Sequence, residues 1–298
     1  MSVSCEAGFA RRGAGAAQQA ALCGNGRAGF CWLFLLLLFP FLVHAASPGV
    51  QQLPESASQG QLVFGSAPPN STVTLHGKAL RVSPDGRFVF GIGRDEIRNA
   101  RIDVTFPDGT HERRDIAVMK RDWPIERVTG VPQQTVDPPP DIAARIAREQ
   151  AAVAAQRTRD DARGDVFESF IWPVEGRISG RFGRQRIYNG KPGAPHSGMD
   201  IAVPKGTPIK APAAGIVTFA EPDLYLTGGT VLIDHGHGVS SGFLHMSKLD
   251  VEKGQYVEQG EVIGQVGATG RATGPHLHWG LNWFDVRLDP QLLDLPKK

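Results

Sequence analysis

The stretch Thr230-Val-Leu-Ile-Asp-His-Gly-His-Gly-Val-Ser-Ser-Gly-Phe-Leu-His245 decides the fold of the last third of the chain. An apolar β-branched run comes first, and a glycine-rich segment separates it from a second apolar run. Because β-branched residues favour strands and glycines favour tight turns, we read residues 230–234 and 242–244 as strands and residues 234–238 as the turn between them. The stretch therefore predicts an all-β domain of tightly turned strands.

The same composition continues on both sides of this stretch. Short Val/Ile runs bounded by glycines predict further strands, at residues 209–211, 215–219 and 262–266. Two similar segments, Lys205-Gly-Thr-Pro-Ile-Lys210 and Lys253-Gly-Gln-Tyr-Val-Glu258, each lead into such a strand. This internal similarity favours a duplicated hairpin unit of the hybrid-motif kind. Such a unit would close a flattened barrel. We expect this all-β domain to occupy residues 166–298.

Residues 46–122 also have a β pattern, so that the chain as a whole is predicted to be mainly β. Pro-, Asn-, Asp- and Gly-rich turns separate short β-branched runs, which is typical of a small β-sandwich; the runs lie at residues 61–64, 72–75, 87–90 and 101–106. The pattern resembles that of bacterial immunoglobulin-like modules. His76 and His111 lie beside turns, and we expect both on the solvated surface.

Residues 123–165 connect the two β regions. A proline triplet predicts an extended linker, and Asp141 is placed to cap a helix that runs to about Arg163. Arg145 and Glu149 lie one helical turn apart. We interpret this linker helix as a solvated spacer rather than a partner-binding coiled coil, because it has no sustained heptad repeat.

Residues 1–45 have the pattern of an export signal. Arg27 precedes an apolar run at residues 30–43, and residues 43–45 form a small-x-small cleavage pattern. The run is shorter than the roughly 20 residues that a membrane-spanning helix needs. We expect export to the periplasm or cell envelope, with membrane anchoring as the alternative if the segment stays uncleaved. The long segment before the run leaves the true start open.

All three cysteines of the chain, Cys5, Cys23 and Cys31, lie in this N-terminal segment. A chain cleaved after Ala45 would need no disulfide and would offer no thiolate to zinc. It would keep 29 of the 32 basic residues and 29 of the 30 acidic residues. This balance argues against binding to nucleic acid, which usually needs a basic face.

Six of the nine histidines lie between residues 196 and 278. In His196-Ser-Gly-Met-Asp200 the glycine allows a tight bend, so that both polar side chains can converge on one ion. In His276-Leu-His278 the two histidines would project from the same face of a strand. His196, Asp200 and one of the last two histidines would bind zinc through three ligands and leave the fourth position to water, as catalytic zinc sites do.

Four segments in this region resemble those of the lysostaphin/LytM-type zinc endopeptidases. They are His196-Ser-Gly-Met-Asp200, Ile233-Asp-His-Gly-His-Gly238, Phe243-Leu-His-Met-Ser247 and Thr269-Gly-Arg-Ala-Thr-Gly-Pro-His-Leu-His278. The resemblance covers about residues 170–290 in order and with similar spacing. It implies the antiparallel β peptidase domain of that family.

The resemblance also implies roles for five side chains. His196, Asp200 and His278 would bind one Zn²⁺ ion per domain, and His245 and His276 would be catalytic. The implied substrate is a peptide cross-link or stem peptide of bacterial peptidoglycan. As a hypothesis, His276 would accept a proton from the attacking water, while His245 would donate to the developing oxyanion or to the leaving amine.

The sequence departs from the family pattern at three places. Phe243 replaces a common tyrosine, which removes a hydroxyl that could touch substrate. Trp279 and Gly280 follow the last histidine, where an acidic residue is common, and we expect this to change local packing only. His237 stands where a small polar residue is common.

Two further histidines and two short segments have open roles. Because their context is a glycine turn, we expect neither His235 nor His237 to bind the metal, and we place His235 near the site or the cleft and His237 on the surface. Arg181-Phe-Gly183 and Tyr188-Asn189 either line the cleft or form an ordinary turn connection.

An enzyme is favoured over two alternatives. A non-catalytic or latent regulator of other cell-wall hydrolases would fit a chain that had lost metal ligands, but the full set is present. A phosphocarrier or lipoyl-like module would need neither an export signal nor an aspartate ligand. The N-terminal module would space the enzyme or dock a cell-wall or division protein rather than bind sugar. One further hypothesis is that residues 123–165 cover the cleft and hold the enzyme latent.

Overall fold

The computed structural model describes residues 49–297. The predictions about the export signal and its cysteines concern residues 1–45 and lie outside the described residues. Within the described part, no helix is long and apolar enough to cross a membrane.

The N-terminal module is a small two-sheet β-sandwich. A five-stranded sheet has the order β1-β7-β6-β3-β4, and a two-stranded sheet pairs β2 with β5. Alternate residues of these strands point into one core, as in β6, whose burial alternates along its length. His76 and His111 are exposed, as predicted. The strands are β1 (Ser56–Ser58), β2 (Leu62–Ser66), β3 (Thr72–Leu75), β4 (Lys78–Leu80), β5 (Arg87–Gly91), β6 (Ala100–Thr105) and β7 (His111–Met119).

The connecting segment contains one strand and one helix, β8 (Ile125–Val128) and α1 (Pro140–Gln156). The prediction that Asp141 caps the helix is wrong, because the helix begins at Pro140, whose fixed φ suits the first turn, and Asp141 lies inside that turn. The predicted end near Arg163 is also wrong, since the helix ends at Gln156. A 3₁₀ turn, Gln133–Thr135, lies between β8 and α1.

Helix α1 buries none of its side chains, as a solvated helix should. It is nevertheless docked rather than a free spacer. Arg145 bonds to Glu149 one turn away and to the carbonyl of Asp223, and a Glu149 oxygen accepts a hydrogen bond from the Tyr225 amide. Two polar residues of one helical turn thus fix the helix to the C-terminal domain.

The C-terminal domain is built almost entirely of antiparallel strands. Its main sheet has the order β18-β14-β15-β16-β20-β12-β9, with β21 beside β20, and two three-stranded sheets have the orders β13-β19-β17 and β11-β10-β8. The strands are β9 (Arg177–Gly180), β10 (Gln185–Tyr188), β11 (Lys191–Pro192), β12 (Met199–Ala202), β13 (Pro208–Lys210), β14 (Gly215–Leu224), β15 (Gly228–Asp234), β16 (Val239–Met246), β17 (Lys248–Leu249), β18 (Tyr256–Val257), β19 (Val262–Gln265), β20 (Leu277–Trp283) and β21 (Val286–Leu288).

The predicted turn at residues 234–238 and the predicted repeat of the two Lys-Gly segments are both present in the backbone. β15 ends at Asp234 and β16 begins at Val239, with the turn between them as expected. The two Lys-Gly segments make equivalent hydrogen bonds. The Gly206 amide donates to the Val266 carbonyl, and the Gly254 amide donates to the Val217 carbonyl. Each segment therefore pairs with the strand that follows the other one, which supports a duplicated unit.

The two β modules pack against each other. Gly91 of β5 lies against β20 and β21, and an added Cβ would meet Leu288 and Trp283 at 3.0 Å. Arg121 donates to Asp289 at 2.8 Å, and the Asp289 side chain is only 1% exposed. The N-terminal module is thus fixed to the C-terminal domain by apolar packing and by one largely buried ion pair.

Candidate metal centre

Strand pairing places two of the predicted metal ligands opposite each other. Asp200 of β12 is the direct cross-strand partner of His278 of β20. His196 precedes β12, and Gly198 lets this segment approach the neighbouring strand, because an added Cβ there would lie 2.4 Å from the Trp279 carbonyl oxygen. Close approach, rather than a special backbone angle, is the reason for this glycine.

The three side chains offer one ligand atom each to a common point. Asp200 Oδ1 lies 3.0 Å from His196 Nε2 and 2.8 Å from His278 Nδ1, and the two nitrogens are 3.0 Å apart. Ligands at zinc distances in a tetrahedron are about 3.3 Å apart, so a small expansion of this triangle would accommodate the ion. Two imidazoles and one carboxylate are also the donor set of catalytic zinc.

The electrostatics of the cluster keep its ligands in the forms that bind a metal. Burial disfavours ionised Asp200, but its close contacts with the His196 and His278 rings hold the pKa of this carboxyl well below its usual value. Burial lowers the pKa of His278 to about 4. His196 donates through Nδ1 to the Arg181 carbonyl at 2.9 Å, which leaves its Nε2 lone pair facing the other ligands.

His245 and His276 lie together beside these ligands. Their ring centroids are 4.8 Å apart, and His276 Nε2 is 3.8 Å from Asp200 Oδ1. Each ring is oriented by a carbonyl on its Nδ1 side, Thr269 for His245 and Gly274 for His276, both at 2.8 Å. The Nε2 atoms are therefore available for proton transfer or hydrogen bonding to substrate.

The environments of these two histidines differ. His245 is buried, and desolvation, together with the neighbouring histidines, lowers its pKa to about 3. Its backbone φ is 63°, which is rare for a residue other than glycine. His276 lies just before β20, in an isolated bridge with Gly267. His276 thus extends β20 by one paired residue, and His276 and His278 lie on one face of the strand beside Asp200, as predicted.

Sequence reasoning missed a basic residue in contact with the cluster. Arg186 of β10 donates to Asp200 Oδ2 at 2.7 Å, to Glu126 at 3.1 Å and to the Tyr188 hydroxyl at 3.2 Å. Burial would lower the pKa of Arg186, but the charge of Asp200 raises it above its usual value. No short motif could have revealed this contact, because Arg186 and Asp200 are on different strands and Glu126 belongs to the linker.

Neither histidine of the glycine turn belongs to the metal cluster. Among residues 49–297, only His196, Asp200 and His278 form a group that could hold an ion. His235 is fully buried and bonds to the Ala214 carbonyl and the Ser241 hydroxyl, so its predicted position at the cleft is wrong.

The prediction that His237 lies on the surface is also wrong. It is 3% exposed, because its ring packs edge-on against Phe167 and its Nδ1 lies 3.3 Å from the Arg81 carbonyl oxygen of the N-terminal module. Phe243, which replaces the expected tyrosine, is fully buried. Its ring is therefore part of the core rather than of a substrate surface.

The linker runs along the strand that carries Arg186. β8 pairs in parallel with β10, and Asn189 at the end of β10 donates to the Val131 carbonyl. Arg271, in the loop before His276, donates to the Thr135 carbonyl and lies over the Tyr188 ring at 4.3 Å. Tyr188 and Asn189 thus contact the linker and the loop beside the site.

The segment 181–183, whose role the sequence left open, contains one exposed and one buried side chain. Arg181 is exposed, and its carbonyl orients His196. Phe182 is buried and packs edge-on against Trp123. This segment therefore orients His196 through its backbone and contacts Trp123 of the linker through the Phe182 ring.

Comparison with known proteins gives consistent matches in this region. The model of peptidase family M23 matches residues 194–290. Peptidoglycan DD-endopeptidase ShyA of Vibrio cholerae is 41% identical over 126 residues, which cover 41% of this chain and 29% of that protein. Cell division protein DipM of Caulobacter vibrioides is 32% identical over 162 residues, which cover 54% of this chain and 24% of that protein. The chain thus spans less than a third of the length of these curated relatives.

One solved structure matches most of the chain. It is a Pseudomonas aeruginosa protein described as a peptidase M23, with 34% sequence identity and a TM-score of 0.58. The match covers 79% of this chain and 93% of that one. The likeness therefore includes the N-terminal module as well as the region of the metal cluster.

Proposed function

Because the chain belongs to peptidase family M23, we propose that it is a zinc-dependent endopeptidase that hydrolyses peptide bonds in the cross-links or stem peptides of bacterial peptidoglycan. The observation that supports this most strongly is a complete site. His196, Asp200 and His278 converge on one point, and His245 and His276 lie together beside them.

Three ligands leave room for a reacting group. A bound zinc ion would activate a water molecule and polarise the scissile carbonyl. His196 and His278 present nitrogen lone pairs, and Asp200 presents one carboxylate oxygen, so the ligands would neutralise only part of the ion's charge. The remaining charge would be available to the reaction.

We assign the two other histidines to proton transfer. His276 Nε2 lies 3.8 Å from the ligand atom of Asp200, within reach of a water held at the fourth position, so His276 would accept the proton of the attacking water. His245, beside it, would donate a hydrogen bond to the oxyanion or protonate the leaving amine. The Gly274 carbonyl would keep the proton of neutral His276 on Nδ1, so that its Nε2 can accept a proton. The Thr269 carbonyl likewise holds the Nδ1 proton of His245, so this ring would donate through Nε2 only in its doubly protonated form.

Digestion of a purified, cross-linked muropeptide dimer tests this function and names the bond. An endopeptidase that cuts the cross-link gives two monomers, and one that cuts a stem gives shortened peptides; mass spectrometry distinguishes these products. The cleavage should stop with a chelator and return with added Zn²⁺. An intact dimer after incubation with folded, zinc-loaded protein would favour a regulatory role instead.

The place of action is proposed on the same basis. A peptidase of peptidoglycan works in the cell envelope, so we propose that residues 1–45 direct export. The N-terminal module is proposed to space the catalytic domain or to dock a cell-wall or division protein. A fusion of residues 1–45 to a reporter that is active only after export tests the first proposal.

A further inference from the structure

Asp200 is held from both sides by different partners. Its Oδ1 faces the two histidines of the metal cluster, whereas its Oδ2 accepts a hydrogen bond from Arg186 at 2.7 Å. A carboxylate can bind a metal through one oxygen or through both. Because Arg186 occupies Oδ2, only Oδ1 is free to face an ion, which suits a four-coordinate site.

Arg186 is itself held by the linker. Glu126 of β8 is its direct partner across the parallel strand pair, and the Glu126 carboxylate accepts from Arg186 Nε at 3.1 Å. The Tyr188 hydroxyl contacts a second nitrogen of the same group at 3.2 Å. The guanidinium side chain is 17% exposed and that of Glu126 is 22% exposed, so water screens this pair only partly.

The charges of Glu126, Arg186 and Asp200 alternate in sign towards the metal position. Asp200 is negative, Arg186 is positive and Glu126 is negative. A lone guanidinium beside a metal ligand would repel a divalent cation, because like charges repel strongly where water is scarce. Glu126 offsets that repulsion while leaving the orienting hydrogen bond in place.

We propose that Arg186 is a positioning residue that fixes Asp200 for binding zinc through one oxygen, and that Glu126 of the linker neutralises Arg186, so that the linker forms part of the metal centre. The inference rests on the proposed function, since it concerns the same zinc site. It gives β8 a role beyond connecting the two modules.

Zinc affinity tests this directly, measured by competition with a chromophoric chelator on the full folded chain. Partners that orient metal ligands typically change affinity by about 10- to 100-fold. Arg186→Met should weaken zinc binding by about that factor. Arg186→Lys should restore part of the loss, because an ammonium can donate to Oδ2 but lacks the planar fork with which Arg186 contacts Asp200, Glu126 and Tyr188. Glu126→Gln should weaken binding less, in the same direction.

The spectrum of the Co²⁺-substituted protein provides a second readout. If Asp200 gains freedom to bind through both oxygens, the visible absorption of Arg186→Met should weaken, as expected when a four-coordinate cobalt site takes on a fifth ligand atom. A merely structural role of Arg186 would leave this spectrum unchanged.

Arg121→Met is a matched control. Arg121 also donates to a largely buried carboxylate, that of Asp289, but it does not contact the metal cluster. It should lower stability without changing zinc affinity. Equal zinc affinity and equal cobalt spectra for wild type, Arg186→Met and Arg186→Lys would overturn the role of Arg186, and unchanged affinity in Glu126→Gln would overturn that of the linker.

Two further outcomes are distinguishable. If Arg186→Met does not fold, Arg186→Lys decides, because the proposal requires its affinity to lie below that of the wild type. If the wild-type protein itself binds no zinc, the proposed function fails together with this inference. If the wild type binds zinc tightly and the variants bind it with the same affinity, the inference fails and the proposed function stands.

Discussion

Asp200 and His278 are direct partners across two antiparallel strands, and Asp200 Oδ1 lies 2.8 Å from His278 Nδ1. The register of the sheet therefore builds two of the three proposed metal ligands without any loop. Sites on strands are held more precisely than sites on loops. A slip of one residue in this register would turn His278 away from the cluster.

The two histidines beside the metal ligands should affect turnover and not metal content. His245→Ala and His276→Ala should each lower kcat by about 10²- to 10⁴-fold, the usual contribution of a positioned acid or base. Zinc content by elemental analysis should stay near one ion per chain. Near-wild-type turnover in either variant would contradict the scheme of two histidines, and exposed His111→Ala is the control that should change nothing.

The fully buried His235 should make the stability of the protein depend on pH. Burial lowers the pKa of His235 to about 4, whereas an unfolded histidine has a pKa near 6.5. The unfolded state therefore takes up a proton first as pH falls, and stability present above pH 6.5 is lost towards pH 4, by about 3 kcal/mol.

Urea unfolding of wild type and His235→Asn at several pH values measures this. The variant should be less stable at pH 7 but should lose less stability on acidification. His111→Asn, which changes an exposed histidine, should keep the wild-type dependence. If the free energy of unfolding changes equally with pH in wild type and His235→Asn, this histidine does not cause the pH dependence.

The ion pair between the modules should stabilise the whole chain. Arg121→Met leaves the Asp289 carboxylate buried without its partner, which typically costs about 3 kcal/mol. Arg113→Met, which removes an exposed pair with Asp103, should cost less than about 1 kcal/mol. Equal urea midpoints for the two variants would mean that this ion pair stabilises the chain no more than an exposed pair does.

The linker beside the site is expected to limit access of substrate. Asn189 donates to the Val131 carbonyl and the Gln133 side chain and has a φ of 46°, which glycine tolerates. Asn189→Gly should therefore loosen the linker without straining β10 and should raise turnover on intact sacculi several-fold. Unchanged turnover on sacculi and on a short soluble peptide would remove the hypothesis that the linker holds the enzyme latent.

The features that depend on residues close in sequence were the most predictable. Strand β3 has the predicted limits, and the turn between β15 and β16 lies where its glycines placed it, because side-chain alternation and turn chemistry act locally. Motif spacing and glycine context predicted that His196 and Asp200 converge with one of the last two histidines, and the family resemblance implied that this histidine is His278. The capping of α1 was not, since Pro140 competes with Asp141 for the start of the helix.

Contacts between distant segments could not be predicted. His237 is buried by Phe167 and by the backbone of Arg81, which are both distant in sequence, whereas a glycine-rich pattern alone indicates only a turn. The contact of Arg186 with Asp200 and Glu126 depends on parallel pairing of the linker strand β8 with β10. Nothing in either short strand specifies its partner.

The most direct test of the proposed function is release of soluble peptide-linked fragments from purified peptidoglycan sacculi by the zinc-loaded protein, with His278→Ala measured beside the wild type. We predict fragments from the wild type that disappear with a chelator and return with Zn²⁺, and none from His278→Ala. Equal release by His278→Ala, or no release by a folded wild-type protein that has bound zinc, would contradict it.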